Sequence, residues 1–312
     1  MNKTSRIFIA GSDTLIGGAI LNNLRKAGFE RLYSEKDLNN ALDQQQDVEK
    51  FFSEINPEYV FHAAGKTGGI LANQQYPADL MMDNLQKTAH IIITAHRYQT
   101  KKLIYIASSC SYPRVCRQPM IEDSLFSGPL EPTNQAYAMA KLAGIQLCLS
   151  LRDQYSNAFI PAIPTNYFGP GDHFDPQNSH VIEALISRMH EAKHKGSKCV
   201  SIWGSGKARR EFLYVEDIAE AAIFVMQNYI KRGPVNLGGG VTLSIQELAE
   251  TIRGVIGFKG DLVFDATKPD GMPEKSLDNS KLSALNWQPK VKFRQALIKT
   301  YDWFVKNKTS IG

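Results

Sequence analysis

The sequence has few cysteines and no long apolar run, and these two features limit the classes of protein to which it can belong. The 312 residues include four scattered cysteines, Cys110, Cys116, Cys148 and Cys199, with no C-x-x-C pair. This usage is typical of a reducing compartment, so we expect a cytoplasmic protein without a bound metal. Apolar runs stop well short of the roughly 20 residues that cross a bilayer. The N-terminus lacks the apolar core of a secretory signal, so we expect no membrane association.

A concentrated basic stretch is also lacking. The net charge is +5, from 36 Lys and Arg against 31 Asp and Glu. The densest basic run, residues 189–198, is short and interrupted. Nucleic-acid binding favours a basic stripe with interleaved aromatic residues, so we expect no nucleic-acid partner. The mild excess fits a solvated surface, and it fits a small anionic substrate such as a nucleotide diphosphate equally well.

Strand-like and helix-like segments alternate through the first half of the chain. Strand-like apolar segments are predicted at residues 6–11, 30–34, 57–64, 101–109 and 158–170. Helix-like segments between them are predicted at residues 15–28, 45–55, 83–98 and 136–155. This alternation predicts an α/β protein with a doubly wound parallel sheet of the Rossmann type.

The pattern changes after Pro170. A polar loop at 171–180 precedes a helix at 181–193, and Ser244 with Glu247 forms a capping-box pair that opens a later helix. We predict a dinucleotide-binding domain and a smaller, interleaved substrate domain that covers the carboxyl ends of the strands. The first is placed at residues 1–170 with a return segment at about 211–238, and the second at residues 171–210 and 239–312.

The first strand–helix turn lacks the middle glycine of a dinucleotide-binding fingerprint. Gly11 ends the strand and Gly17 opens the helix, but Thr14 stands at the middle position and Asp13 precedes it. Backbone N–H groups and the helix dipole would still face a pyrophosphate. We therefore predict that the turn binds a dinucleotide, through Gly11, Ser12, Asp13, Thr14, Leu15, Ile16 and Gly17.

A Y-x-x-x-K pattern lies between the fourth and fifth predicted strands. Tyr137 and Lys141 fall on one face of a helix, where the lysine ammonium would favour the tyrosine phenolate. Such a tyrosine exchanges a proton with a carbonyl or alcohol oxygen while hydride moves. Ser108 stands where the fourth strand ends and could donate a hydrogen bond to the same oxygen. Ser108 at the end of a strand, followed by Tyr137 and Lys141 on the next helix, resembles the catalytic set of the short-chain dehydrogenase/reductase superfamily.

Longer segments resemble the GDP-L-fucose synthase family, from Arg6 to about Lys306. The similar segments keep the family's order and spacing, and they are KTGGILANQQYPADL, SSCSYP, LEPTNQAYAMAKLAGIQLC, PTNYFGPGDHFDPQNSHVI, WGSGKARREFLYVED and FDATKPDGMPEKSLD. The resemblance implies an enzyme that epimerises C3 and C5 of GDP-4-keto-6-deoxy-mannose. It then reduces C4 with a nicotinamide cofactor to form GDP-L-fucose.

The resemblance also implies residue roles. Cys110 and His180 would exchange protons at C3 and C5, and Lys141 would hold the nicotinamide ribose. Further cofactor contacts are implied at Ala63, Ala64, Ile106, Ala107, Ser108, Tyr137, Pro164, Asn166 and His180. Nucleotide-sugar contacts are implied at Arg188, Trp203, Arg210, Asp270 and Lys275. Without the surrounding motifs, these residues would equally suit a buried apolar cysteine, a loop histidine, a core tryptophan and solvated charges.

Two positions depart from the family pattern and bear on the cofactor. The family often has an arginine, which pairs with the 2′-phosphate of NADPH, where this chain has Asp13. Glu35 lies at the end of the second strand, where an acid can bind the ribose hydroxyls of NAD, and Lys36 is the nearest cation. The family implies NADP(H), and these residues make NAD(H) a rival.

Other functions stay open at this point. They are the same chemistry on a related GDP-4-keto sugar such as the colitose precursor, C4 reduction alone, and a non-catalytic dinucleotide-binding redox sensor. The predicted helices at 83–98 and 136–155 are apolar on more than one face. We therefore predict a homodimer built on these helices, with coverage by the second domain as the alternative.

Overall fold

The computed structural model describes residues 1–38, 42–175, 179–231, 233–268 and 270–307. Its strands, numbered along the chain, are β1 Ile7–Ala10, β2 Leu32–Ser34, β3 Tyr59–His62, β4 Lys102–Ile106, β5 Phe159–Pro164, β6 Asn166–Phe168, β7 Cys199–Trp203, β8 Arg209–Tyr214, β9 Val235–Leu237, β10 Val241–Ser244, β11 Asp261–Asp265 and β12 Glu274–Lys275. Its helices are α1 Leu15–Lys26, α2 Gln45–Ile55, α3 Ile70–Gln75, α4 Pro77–Arg97, α5 Gln135–Tyr155, α6 Val181–His194, α7 Val215–Asn228, α8 Ile245–Ile256, α9 Ser280–Ser283 and α10 Phe293–Asn307.

A parallel sheet forms the centre of the molecule. Its strand order is β2-β1-β3-β4-β5-β9, and every neighbouring pair is parallel. Every residue of β1 and of β5 is buried, because helices cover both faces of the sheet. On one face α1 packs against α7, and on the other α4 packs against α5 and α2. The prediction of a doubly wound Rossmann-type fold is confirmed.

The predicted single strand at 158–170 is wrong, because it divides into two strands. β5 stays in the central sheet, whereas β6 leaves it and pairs in parallel with β8. Thr165 stands at the division, and its amide donates to the carbonyl of Leu237. Its hydroxyl donates to the carbonyl of Glu211, as does the side-chain amide of Asn166. These bonds direct the chain from one sheet into the other.

Smaller sheets lie beyond the carboxyl edge of the central one. β10, β8 and β12 form one of them, with β6 alongside, and β7 pairs with β11. A separate apolar core forms between these strands and α6, α8 and α10. The predicted capping box is confirmed at α8, where the Ser244 hydroxyl accepts from the Glu247 amide at 3.1 Å. The Glu247 carboxylate accepts from the Ser244 amide at 2.7 Å.

Two further observations concern the limits of these elements. α4 begins at Pro77, earlier than the predicted start at 83, since proline is favoured at the first position of a helix. None of the helices in the described ranges is long and apolar enough to cross a membrane. Residues 176–178 lie outside the description, and they belong to both the predicted polar loop and the predicted substrate domain. Residues 269 and 308–312 of that domain and residue 232 of the return segment also lie outside it. The predicted domain boundaries stay a prediction.

Both glycines of the β1–α1 turn are required by close packing. Gly11 has a φ of +87°, and a Cβ there would overlap the backbone of Ala64. A Cβ at Gly17 would overlap the carbonyl oxygen of Gly11, so only glycine lets α1 start this close to β1. Thr14 occupies the remaining position as the N-cap of α1, and its hydroxyl accepts from the Gly17 amide at 3.1 Å. The missing glycine is therefore replaced by a cap.

We expect Gly17→Ala to destabilise the protein by about 1–3 kcal/mol, since the backbone must shift to admit the methyl group. Gly18→Ala is the matched control. Its Cβ would lie 3.1 Å from the Ser12 carbonyl oxygen, a close contact that a shift of a few tenths of an ångström relieves, and alanine favours the helix. Its free energy of unfolding should change by less than about 1 kcal/mol. Urea unfolding of both variants measures the difference, and equal losses would contradict this account of the turn.

Candidate active site

The predicted cofactor residues meet at the carboxyl edge of the central sheet. Gly11 follows β1, Ala63 and Ala64 follow β3, and Ala107 and Ser108 follow β4. Pro164 is the last residue of β5, while Asn166 lies in β6. Since doubly wound sheets bind ligands at this edge, the fold brings these residues to the expected place.

The turn after β1 has amide groups available to an anion. Leu15 and Ile16 open α1, and within the described residues their amides donate to no acceptor. The helix dipole adds a partial positive charge at the same end. Free amides at a helix N-terminus are what a pyrophosphate binds, so this turn fits a dinucleotide.

Glu35 binds the turn instead of facing outward. Its side chain is buried, and its carboxylate accepts from the amides of Gly11, Ser12 and Asp13 at 2.9–3.0 Å. The hydroxyl of Ser12 donates to the same carboxylate at 2.5 Å. A carboxylate has about four acceptor positions, and all of them are used here. In this structure Glu35 has no free acceptor for a ribose hydroxyl, and its role as a cofactor contact stays a prediction. Lys36 beside it is exposed.

Tyr137 and Lys141 lie on α5, close to the end of β4. Lys141 is buried, and its ammonium donates to the Ile106 carbonyl at 3.3 Å and lies 5.8 Å from the Tyr137 ring centre. Burial lowers the pKa of Lys141 to about 8. Burial also raises the pKa of Tyr137 well above its usual value, and the nearby Cys110 and Tyr167 raise it further. Burial therefore favours the protonated phenol, in the direction opposite to that expected from the Lys141 ammonium.

Cys110 lies in a single 3₁₀ turn, Ser109–Ser111, that follows β4. The Ser108 hydroxyl caps this turn by accepting from the Cys110 amide at 3.1 Å. The sulfur of Cys110 accepts from the Asn134 side-chain amide at 3.1 Å and from the Lys275 ammonium at 3.4 Å. Burial raises the pKa of the thiol, but the Lys275 charge and these hydrogen bonds outweigh it and lower the pKa overall. The surroundings of Cys110 therefore favour its thiolate more than those of a free cysteine do.

Sequence reasoning missed two parts of this arrangement. Asn134 was not selected, although it lies three residues before Tyr137, in the turn that leads into α5. Lys275 was assigned to the nucleotide, but the parallel pairing of β12 with β8 brings its ammonium to the Cys110 sulfur. Both contacts join segments that are distant in the sequence, and no local spacing reports them.

The other predicted nucleotide-sugar residues lie around this centre in different environments. Arg210 lies in β8, opposite Lys275 of β12, and the charge of Arg210 interacts with Cys110. The Asp270 carboxylate accepts from the amide and the hydroxyl of Ser205, both at 2.7 Å, so it fixes the loop after β7. The Asp270 carbonyl in turn accepts from the Arg210 guanidinium at 3.1 Å.

Arg188 and Trp203 both lie at β7, apart from the group around Cys110. The Arg188 guanidinium donates to the carbonyls of Ala184 and Ser201, at 3.3 and 3.1 Å, which ties α6 to β7. Trp203 is 53% exposed, with the Lys268 ammonium 5.6 Å from its ring centre. In the described part of the chain, neither residue hydrogen-bonds to the group around Cys110.

His180 lies just before α6 with two carboxyl groups that sequence reasoning did not select. One side-chain atom from each of His180, Asp172 and Glu183 lies within 4.8 Å of the other two. Burial, followed by the charge of Asp172, raises the pKa of Tyr167. Tyr167 in turn contributes to the raised pKa of Tyr137. Tyr167 therefore interacts electrostatically both with the Asp172 carboxyl group and with Tyr137.

Comparison with known proteins identifies relatives along the whole chain. Residues 7–238 match the NAD dependent epimerase/dehydratase family. GDP-L-fucose synthase 1 of Arabidopsis thaliana is 46% identical over 306 residues, which cover 98% of this chain and 95% of that protein. The GDP-L-colitose synthase of Yersinia pseudotuberculosis is 34% identical, covering 98% of this chain and 99% of that protein.

A solved structure has the same fold. It is a GDP-L-fucose synthetase from Naegleria fowleri bound to NADP, with a TM-score of 0.89 and 29% identity. The match covers 99% of this chain and 95% of that one.

We expect Lys275→Met to raise the pKa of Cys110, because the charge that favours the thiolate is removed. The rate of Cys110 alkylation by iodoacetamide should then reach half its maximum at a higher pH than in the unaltered protein. Cys110→Ser gives the background from the other cysteines. Lys268→Met, which removes an exposed lysine beside Trp203, should leave the midpoint unchanged. Equal midpoints for Lys275→Met and the unaltered protein would exclude this role of Lys275.

Proposed function

The chain belongs to the NAD dependent epimerase/dehydratase family, and we propose that it converts GDP-4-keto-6-deoxy-mannose to GDP-L-fucose with NADP(H). One observation carries the proposal. A cysteine with a lowered pKa lies beside the Ser108, Tyr137 and Lys141 set, so an enolising base and a carbonyl-reducing acid share one place.

Epimerisation comes first and uses the acidity that the C4 ketone gives to its neighbours. Deprotonation at C3 or C5 places negative charge on the C4 oxygen, where the hydroxyls of Ser108 and Tyr137 donate hydrogen bonds. The Cys110 thiolate removes a proton from one face of the sugar, and His180 supplies one from the other face. Exchange from opposite faces inverts each carbon.

Reduction at C4 follows, with NADP(H) supplying the hydride when it is bound. The Tyr137 phenol then donates its proton to the new alkoxide. This step needs a protonated tyrosine, which is the state that burial favours. The buried ammonium of Lys141 lies beside the tyrosine and at the end of β4, where it can orient the nicotinamide ribose.

Cationic side chains would hold the nucleotide half of the substrate. Arg210 lies next to the Cys110 group and suits the diphosphate, since guanidinium binds phosphate oxygens with paired hydrogen bonds. The exposed ring of Trp203 suits packing against the sugar nucleotide, while Arg188 and Asp270 stabilise the strands and loops around it. The Lys275 ammonium donates to the Cys110 sulfur, and we propose that it also contacts the diphosphate.

NADP(H) is favoured over NAD(H) as the cofactor. Glu35 is fully engaged by the turn amides, so it offers no acceptor to a ribose hydroxyl. The exposed ammonium of Lys36 lies next to it and suits a 2′-phosphate. We also propose a reducing, cytoplasmic location, because all four cysteines are free thiols.

The alternatives have less support. C4 reduction alone would not need a thiol with a lowered pKa, and a redox sensor would not need the Tyr137 and Lys141 pair. The same chemistry on the colitose precursor is less favoured, since the colitose synthase is less similar than the fucose synthase.

The deciding experiment supplies GDP-4-keto-6-deoxy-mannose with NADPH or NADH and identifies the product by NMR. We expect GDP-L-fucose, with NADPH preferred by more than about tenfold, or 1.4 kcal/mol. In Cys110→Ser, reduction should continue in part while epimerisation stops, so the C4-reduced product keeps its C3 and C5 configuration. Cys116→Ser, in the same connecting segment, is the matched control. Unchanged product and rate in Cys110→Ser would refute the assignment.

We further propose that the protein is a homodimer through α4 and α5. These helices pack side by side, and their outer surfaces expose Met82 and Met139, at 55% and 43%. Light scattering should give twice the mass of one chain, and Met82→Glu with Met139→Glu should reduce it to one. Val305→Glu, at an exposed apolar residue of α10, should leave the mass unchanged. A single-chain mass for the unaltered protein would contradict the dimer.

A further inference from the structure

Glu183 is a carboxyl group buried in the first turn of α6. It is 1% exposed, and within the described residues neither of its oxygens receives a hydrogen bond from an N–H or from a hydroxyl. An ionised carboxylate in such a place would cost several kcal/mol. Burial, followed by the charge of Asp172, raises the pKa of Glu183 well above its usual value. Glu183 is therefore a neutral acid with a proton to donate.

Asp172 is the acceptor that Glu183 faces. The two side chains lie within 4.8 Å of each other and of His180. Burial raises the pKa of Asp172, while the positive charge of His180 and a hydrogen bond from Glu183 act in the opposite direction. Two carboxyl groups this close do not both ionise, so the pair holds one proton and one negative charge. The charge belongs on Asp172, which is the member that interacts with His180.

The position of His180 explains why a negative charge is needed there. His180 is the N-cap of α6, so its imidazole lies at the positive end of the helix dipole. His173, whose charge also acts on Asp172, adds to the positive potential. A single negative charge from the carboxyl pair offsets both. Tyr167 is half-buried and interacts with both Asp172 and Tyr137, and its raised pKa favours the neutral phenol, which contributes no charge.

We propose that Asp172 and Glu183 form a carboxyl pair that positions and charges His180 for proton transfer to the sugar. The Glu183 hydroxyl donates to the Asp172 carboxylate, and that carboxylate accepts from one imidazole nitrogen. The other nitrogen gives its proton to the enolate carbon, the C–H bond forms, and the neutral imidazole takes its next proton from water. Asp172 and Glu183 are positioning residues, and the inference rests on the proposed epimerase activity.

Hydrogen–deuterium exchange in D2O tests the pair without any nicotinamide cofactor. NMR of GDP-4-keto-6-deoxy-mannose follows exchange at C3 and at C5 separately. His180→Gln and Cys110→Ser define how much of the exchange at each carbon depends on each residue. Asp172→Asn should reproduce the pattern of His180→Gln and slow the His180-dependent exchange on the order of tenfold or more, since one proton donor is impaired. A role in folding alone would also abolish the exchange that remains in His180→Gln.

Two variants at Glu183 distinguish the effect of its proton from the effect of its side-chain shape. Glu183→Gln keeps an N–H donor toward Asp172 and should rescue exchange to within about threefold of the unaltered rate, whereas Glu183→Leu offers no donor and should resemble Asp172→Asn. Glu191→Gln, at a half-buried acid of the same helix paired with Lys195, is the matched control and should change nothing. NADPH binding by fluorescence checks that each variant retains its fold.

Several results would overturn the inference. They are an unaltered exchange pattern in Asp172→Asn, a pattern of slowing that differs from that of His180→Gln, or exchange that EDTA abolishes and a divalent cation restores. The last would show that the three side chains hold a metal ion. If the unaltered protein exchanges neither carbon, the proposed epimerase function fails as well. Normal exchange in the unaltered protein together with normal exchange in Asp172→Asn removes only the carboxyl pair.

Discussion

Parallel strands all end at the same edge of their sheet, and this constraint determines where the chemistry of this protein occurs. The first turn, the Ser108–Cys110 segment and the division between β5 and β6 all follow strands of the central sheet. They come together because their strands are parallel neighbours. The smaller sheets then cover that edge. The pairing of β12 with β8 brings Lys275 to the sulfur of Cys110, which is 165 residues away in the sequence.

Within this frame the protein separates acids from bases by environment. Burial raises the pKa of the Tyr137 phenol, whereas a neighbouring ammonium lowers the pKa of Cys110 despite its burial. A third environment, two carboxyl groups with one proton, lies beside His180. Titratable groups whose pKa values are pushed apart in this way are what an enzyme needs to run acid and base steps at one pH.

The sequence was sufficient for the features that depend on local patterns. Strand and helix alternation predicted the doubly wound sheet, the Ser244 and Glu247 spacing predicted a capping box, and the i, i+4 spacing placed Tyr137 and Lys141 together. It was not sufficient where distant segments decide the outcome. The engagement of Glu35 by the turn amides and the division of the strand at Thr165 depend on tertiary hydrogen bonds. The raised pKa of Tyr137 comes mainly from burial, which the i, i+4 spacing does not report.

We propose that one site both exchanges protons beside the C4 ketone and reduces that ketone. A single turnover in D2O, with GDP-4-keto-6-deoxy-mannose and unlabelled NADPH, tests both halves in one product. We predict GDP-L-fucose with solvent deuterium at C3 and at C5 and with protium from the nicotinamide at C4. A product reduced at C4 with protium at C3 and C5 would contradict the account, since it would show reduction without proton exchange.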